Sequence, residues 1–181
     1  MIFFVIAALL VILDQATKFY IRATMAVGAT KVLIPNWLGL NYVQNTGAAF
    51  SSFDQYTTIL AVISLVVSLL LILAIACKWM RHPFGRFTLM LILAGAVGNL
   101  IDRFFMGYVT DMIQVLFVKF AVFNVADIFV VVGAILLVIY VLFFWDRCER
   151  VHGKREIRGK RKKCASSPCR WNRLASVQIS S

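Results

Sequence analysis

Residues 57 to 77 read TTILAVISLVVSLLLILAIAC, a run of 21 positions without one charged side chain. An α-helix rises 1.5 Å per residue, so a run of this length crosses the roughly 30 Å hydrocarbon thickness of a bilayer. A helix apolar on every side has no face to present to water, which makes lipid its natural solvent. Working outward, three further segments have similar character. One is apolar from Met1 to Leu13 and continues as DQATKFYIRATM; one runs from about Phe87 to Ile101 and ends in GNLIDR; one runs from Asn124 to Trp145. The chain of 181 residues is 61% hydrophobic and 15% charged, against about half and a quarter in soluble domains. The expected fold is therefore an α-helical integral membrane protein with four transmembrane helices.

The loops orient it. KWMRHPFGR, between the second and third spans, holds Lys78, Arg81 and Arg86 and no acid, which marks a cytoplasmic turn. Both termini then lie inside, and the longer loops, 25–56 and 102–123, lie outside. The net charge of +11 is concentrated at the end of the chain, where eleven Lys and Arg residues from Arg147 to Arg173 face only Asp146, Glu149 and Glu156. A basic segment directly after a span suits the cytoplasmic side and its anionic lipids better than nucleic acid. Two parts are expected: a membrane domain over 1–147 and a basic, disordered cytoplasmic tail over 148–181. Cys77, Cys148, Cys164 and Cys169 have no paired metal or redox spacing. Residues 1–23 lack the basic start and small-residue cleavage site of a removable signal peptide, so a retained first helix is expected. In the first outer loop, TKVLIPNWLGLNYVQN is rich in β-formers punctuated by Pro35 and Gly39, which suggests short strands or a bent ribbon at the membrane surface. QVLFVKFAVF, residues 114–123, admits a strand, an interfacial segment or a loop folded over the spans.

With this topology the polar residues gather at one side of the bilayer. Asp14 and Lys18 fall in the outer half of the first helix, Asn99, Asp102 and Arg103 at the outer end of the third, and Asn124 and Asp127 at the start of the fourth. Asp111 precedes them in the second outer loop. Each has an ordinary explanation. Asp14 and Lys18, at i and i+4, can be an ion pair that lets a helix end at the interface. Asp102 and Arg103 can be a snorkelling pair. Asp127, in the first turn of a helix, suits the positive end of the helix dipole. Asp111 resists such a reading, because YVTDMIQVLF gives it apolar neighbours and no nearby base.

Two carboxylates without basic partners, brought together at a partly dry site, cannot both ionise easily and hold one proton between them. The ionised member can deprotonate an attacking water while the protonated member donates to a carbonyl oxygen. His82 lies on the inner side and His152 in the tail, which leaves the outer face without a Ser-His or Cys-His arrangement or a histidine for zinc. A small transporter or channel subunit, with Asp14, Asp102 and Asp127 binding a cation, is the competing class. It would need polar groups through the full membrane depth, and the inner halves offer little beyond Ser64 and Ser68.

LDQATK (13–18), NTGAAF (45–50), GNLIDR (98–103), VTDMI (109–113) and FNVADI (123–128), in this order across four spans, resemble bacterial lipoprotein signal peptidase, the signal peptidase II family. The resemblance covers residues 1 to about 147. It implies an intramembrane aspartic endopeptidase that needs no cofactor or metal. Such an enzyme removes signal peptides from diacylglyceryl-modified prolipoproteins by cutting before the lipid-bearing cysteine. Carried over by position, Asp111 and Asp127 match the catalytic pair. Asp14, Lys18, Asn45, Gly47, Asn99, Asp102, Arg103, Asn124 and Ala126 match positions that bind substrate or support the pair. The family implies a β-containing extracytoplasmic cradle and a short interfacial helix over the site. It also implies a bacterial inner membrane setting, membrane lipids and prolipoproteins as partners, no nucleic acid, and action as a monomer. Two departures stand out: Ala94-Gly95-Ala96 replaces a commoner pair of glycines, and the tail is longer than usual.

Overall fold

A computed structural model describes residues 2–47, 55–80 and 82–143. Four helices are long and apolar enough to cross a membrane. They are α1 (Ile2–Thr24), α2 (Gln55–Ala76), α3 (Pro83–Met106) and α4 (Val125–Phe143), and between them lie β1 (Thr30–Ile34), β2 (Leu38–Asn45) and β3 (Val109–Val115). The tail 148–181 and its cysteines lie outside the described residues, as do positions 48–50 of the NTGAAF motif. The interfacial helix implied by the resemblance is not among the described residues either.

α3 is the hub of the bundle, packing against α1, α2 and α4. It begins with sharp punctuation: the His82 side chain accepts from the Phe84 N–H at 3.2 Å, and Pro83 takes the first helical position, where a missing N–H costs nothing. It ends at Gly107, whose φ of 75° is the left-handed conformation that closes a helix. The helix thus runs past the GNLIDR cluster and carries Asp102 and Arg103 within its last turns. Its N-terminal half builds the core with Leu89, Met90, Leu93 and Ala94, against Ala7 of α1, Ile75 of α2 and Tyr140 of α4. Elsewhere the helices turn Leu, Ile, Val and Phe outward, as lipid-facing surfaces do, and α2 is the most uniform of them.

α3 and α4 meet closely. A Cβ placed on Gly95 would collide with the Ala126 carbonyl and sit 2.6 Å from a Val130 methyl. On the next turn, a Cβ on Gly98 would lie 2.6 Å from Asp14 Oδ2. The small residues of AGAVGN therefore bring three helices together where the polar groups sit. Ala94 is fully buried in the core.

The segments after α1 and α3 form a three-stranded antiparallel sheet in the order β1-β2-β3. The first two strands are a hairpin turned at Pro35-Asn36-Trp37, where Asn36 takes a φ of 63°. The strands anticipated around residues 30–43 are thus present. QVLFVKFAVF contributes only its first two residues to a strand, and Phe123 returns to bridge Ile113. Asp111, expected in a loop, lies within β3 opposite Val43. Strand backbone there is held by the ladder, which gives this carboxylate a fixed position that a loop would not.

Candidate active site

Asn124 is the N-cap of α4, and Asp127 stands at its third helical position. The Asn124 Oδ1 accepts from the Asp127 N–H at 3.0 Å, and Asp127 Oδ2 accepts from the Asn124 N–H at 3.1 Å. This reciprocal arrangement is a capping box built from Asn and Asp. The ordinary explanation for an acid at this helix start therefore holds for one oxygen. The other is used elsewhere: Asp127 Oδ1 accepts from Asn99 Nδ2 at 2.7 Å.

Asp111 reaches the same place from the sheet. Its Oδ1 accepts from Asn124 Nδ2 at 2.6 Å, and its Oδ2 from Asn45 Nδ2 at 2.9 Å. Asn45 pairs with Val109 in the β2–β3 ladder, so Asp111 is its diagonal neighbour on the same sheet face. The Asn45 amide is itself oriented by the Gly47 N–H, which donates to its Oδ1 at 2.8 Å, and Gly47 takes a φ of 81°. A side chain there would be strained, which gives the glycine of NTGAAF a physical reason. Burial pushes the Asp111 carboxyl up from its ordinary value of 3.8; the Asn45 and Asn124 amides oppose this, the Asp127 charge adds to it, and Lys18 opposes it.

Behind the two carboxylates is a buried ionic cluster. Lys18, Asp14 and Asp102 have no solvent exposure, and the Lys18 ammonium lies 2.9 Å from Asp14 Oδ2 and 3.3 Å from Asp102 Oδ2. This corrects two expectations. Asp14 and Lys18 do not end a helix at the interface; they are interior groups on the face of α1 turned to α3. Asp102 does not pair with Arg103, because it faces Lys18 and, at 3.7 Å, Arg22. Arg103 instead turns to the Asn99 carbonyl at 3.5 Å, within electrostatic reach of Asp127, Asp111 and Asp102. Ala126 is fully buried, and its N–H donates to Asp14 Oδ1 at 2.9 Å.

Gln15, Arg22 and Thr110 were not singled out from the sequence, yet all join this cluster. Gln15 Nε2 donates to Asp14, to the Gly98 carbonyl at 3.0 Å and to Asp102. Arg22 donates to the Thr110 hydroxyl at 3.0 Å, and the Thr110 N–H donates to Asp102 Oδ2 at 3.0 Å. Arg22 was legible in principle, since it continues the Asp14–Lys18 face by one more step of four.

A cavity of about 430 Å³ opens beside the carboxylates, with Asn45, Asp111 and Asp127 at its polar end and Phe123, Ile128 and Val131 along its wall. A larger cavity of about 530 Å³, between Tyr20 of α1 and Leu40 of the sheet, is lined almost wholly by apolar groups and contains neither aspartate. In α2 the Ser68 hydroxyl donates to the Ser64 carbonyl at 2.7 Å, so its donor is satisfied within its own helix. Among the described residues no group of His, Cys, Asp and Glu side chains has the arrangement of a metal site.

Four spans, a small sheet and two carboxylates facing an apolar-walled cavity define a multi-pass membrane protein with its polar chemistry at one end. Residues 6–143 match the family model described as Signal peptidase (SPase) II. The chain is 40% identical over 141 residues to a lipoprotein signal peptidase of Enterococcus faecalis, covering 78% of this chain and 88% of that one. It is 44% identical over 131 residues to a lipoprotein signal peptidase of Streptococcus pyogenes serotype M5, covering 72% and 86%. A bacterial membrane enzyme solved in meso at 1.9 Å superposes with a TM-score of 0.73 at 32% identity, over 78% of this chain and 93% of that one. A second such structure, at 2.3 Å, gives 0.70 over 77% and 87%. The chain belongs to the signal peptidase II family, and so to the proteases.

Proposed function

We propose that this protein is an intramembrane aspartic endopeptidase that removes signal peptides from diacylglyceryl-modified prolipoproteins. One observation carries the chemistry: Asn124 donates its side-chain amide to Asp111 and its backbone N–H to Asp127, so a single residue ties the two carboxylates together. Membership of the signal peptidase II family and relatives named lipoprotein signal peptidase support the substrate class.

In this reading the pair shares one proton, held by Asp111, whose burial already favours the neutral form. Asp127 takes a proton from a water positioned in the cavity, and the water oxygen bonds to the scissile carbonyl carbon. Asp111 donates its proton to the carbonyl oxygen, giving a neutral tetrahedral diol. On collapse, the C–N bond breaks, the nitrogen takes the proton from Asp127, and Asp111 recovers its own from the diol. Asn45, Asn99 and Asn124 hold the two carboxylates in place, and Arg103 lies beside them for the substrate backbone. The apolar wall of Phe123, Ile128 and Val131 suits a lipid-bearing signal peptide arriving from the bilayer. Metal and cofactor are absent from this scheme, and the domain 1–147 works as a monomer. Both termini face the cytoplasm of a bacterial inner membrane, which puts the carboxylates near the outer surface.

The test uses purified membrane protein and a diacylglyceryl-modified prolipoprotein. Asp111→Asn and Asp127→Asn are each expected to insert normally and to lose processing by at least 100-fold, the order of a general acid–base contribution. Processing retained by either variant overturns the assignment.

A further inference from the structure

Lys18 contacts neither the cavity nor an aspartate of the proposed pair, yet three of its partners lead to them. An ammonium has three donors and no acceptor. Those of Lys18 go to Asp14, to Asp102 and, at 2.9 Å, to Asn99 Oδ1. Asp14 accepts the N–H of Ala126, the residue before Asp127; Asp102 accepts the N–H of Thr110, the residue before Asp111. The two carboxylates on Lys18 thus each hold the backbone beside one member of the pair. Arg22, partly exposed and 3.7 Å from Asp102, adds a second cation at the edge of the cluster.

The third donor has a different consequence. An asparagine amide has two ends, a carbonyl and an NH2, and its orientation follows the groups around it. A buried ammonium can face only the carbonyl. With Asn99 Oδ1 held by Lys18, its NH2 is left to face Asp127, and the 2.7 Å contact to Oδ1 is of that kind. Were the amide turned over, a carbonyl would face that carboxyl oxygen, an arrangement tolerable only with a proton on Asp127.

We propose that Lys18 is a positioning residue for the base: by occupying the Asn99 carbonyl it keeps the Asn99 N–H donor on Asp127, which favours the ionised form that takes the proton from water. This rests on the reading of Asp111 and Asp127 as the catalytic pair. The groups that face Asp127 are Asn99 and Arg103 from α3, Asp111 from β3, and Asn124 at the start of its own helix. Lys18 acts from α1 through Asn99, as a relay of one charge and one oriented dipole.

The experiment is the pH profile of kcat/KM on a fluorogenic diacylglyceryl lipopeptide. Asn99→Ala removes the relay and leaves the Lys18–Asp14–Asp102 cluster whole. Lys18→Met combined with Asp14→Asn removes the ammonium and one carboxylate together, so no extra charge is stranded, and the Asn carbonyl can still accept from Ala126. Both are expected to move the acid limb of the profile upward by about one pH unit, a tenfold loss on that limb. A limb that stays in place in stably folded variants, or a uniform loss at every pH, overturns the proposal and leaves Lys18 a structural cation. Should the doubly substituted protein fail to fold, the side-chain amide of Asn99 in the intact enzyme decides by NMR: NH2 protons in contact with Asp127 support the relay, and NH2 protons in contact with Lys18 overturn it. Cleavage retained by Asp127→Asn would instead overturn the underlying reading of the pair.

Discussion

Asp111 receives two side-chain amides and sits almost wholly out of solvent, and its charge is opposed by burial and by Asp127. A carboxyl raised in the native state adds stability that is complete below the unfolded value near 3.8, and it loses that stability as pH climbs through the higher native value. The wild type is therefore expected to gain stability relative to Asp111→Asn when pH falls from 7 to 4. Thermal unfolding of both proteins in detergent at the two pH values measures this difference, and carboxylates not coupled to Asp111 cancel in the comparison. A difference that is flat, or larger at pH 7, would refute it. At this scale Asp111 was the most legible residue, because nothing nearby in sequence explained it. Lys18 was the least: a spacing of four from Asp14 describes a surface pair and a buried one equally well, and only the packing of α1 on α3 separates them.

At the scale of elements, the crossing of α3 and α4 sets the Asn99–Asp127 contact, and Gly95 sets the crossing. Gly95→Ala gains helix propensity of roughly 0.5–1 kcal/mol. Its methyl would collide with the Ala126 carbonyl, and overpacking costs roughly 1–3 kcal/mol. The second effect wins, so the variant is expected to be destabilised by about 1 kcal/mol or more. It should also lose activity beyond its loss of folded protein, because Ala126 precedes Asp127. Melting temperature and kcat of the folded fraction check both parts; normal values for each would show that the helices can separate without disturbing the site. The four helices were readable from length and hydropathy, and the strand character of residues 30–43, though not their pairing as a hairpin, from Pro35, Gly39 and the β-formers around them. β3 was not, because VTDMIQV carries an acid amid apolar residues and has no alternation to mark a strand; Thr110 and Asp111, on opposite faces, are both buried, and α1 and α3 both pack against this strand.

At the scale of the whole molecule, the cost of burying charge and the cost of crossing lipid divide the chain into two ends. The end that carries the sheet holds the Lys18 cluster and the aspartates, within a shell of α1, α3, α4 and the sheet that replaces water as their partner. The other end holds Lys78 on the connection between α2 and α3 and Arg86 in the first turn of α3, with Cys77 exposed nearby, and the sequence adds Arg81 to this basic stretch. Positive charge on a short loop is retained on the cytoplasmic side, so this turn and the sheet are expected on opposite sides of the membrane. A variant with Cys148, Cys164 and Cys169 replaced by Ser keeps only Cys77. A membrane-impermeant maleimide should label it in inverted vesicles and leave it unlabelled in right-side-out ones. Placing the cysteine instead at exposed Lys31 of β1, with Cys77 also replaced, should reverse the pattern. Labelling of both positions from the same side would contradict the four-span path. Reversal of both patterns would put the carboxylates at the cytoplasmic surface, where a lipid-modified signal peptide that has crossed the membrane could not reach them.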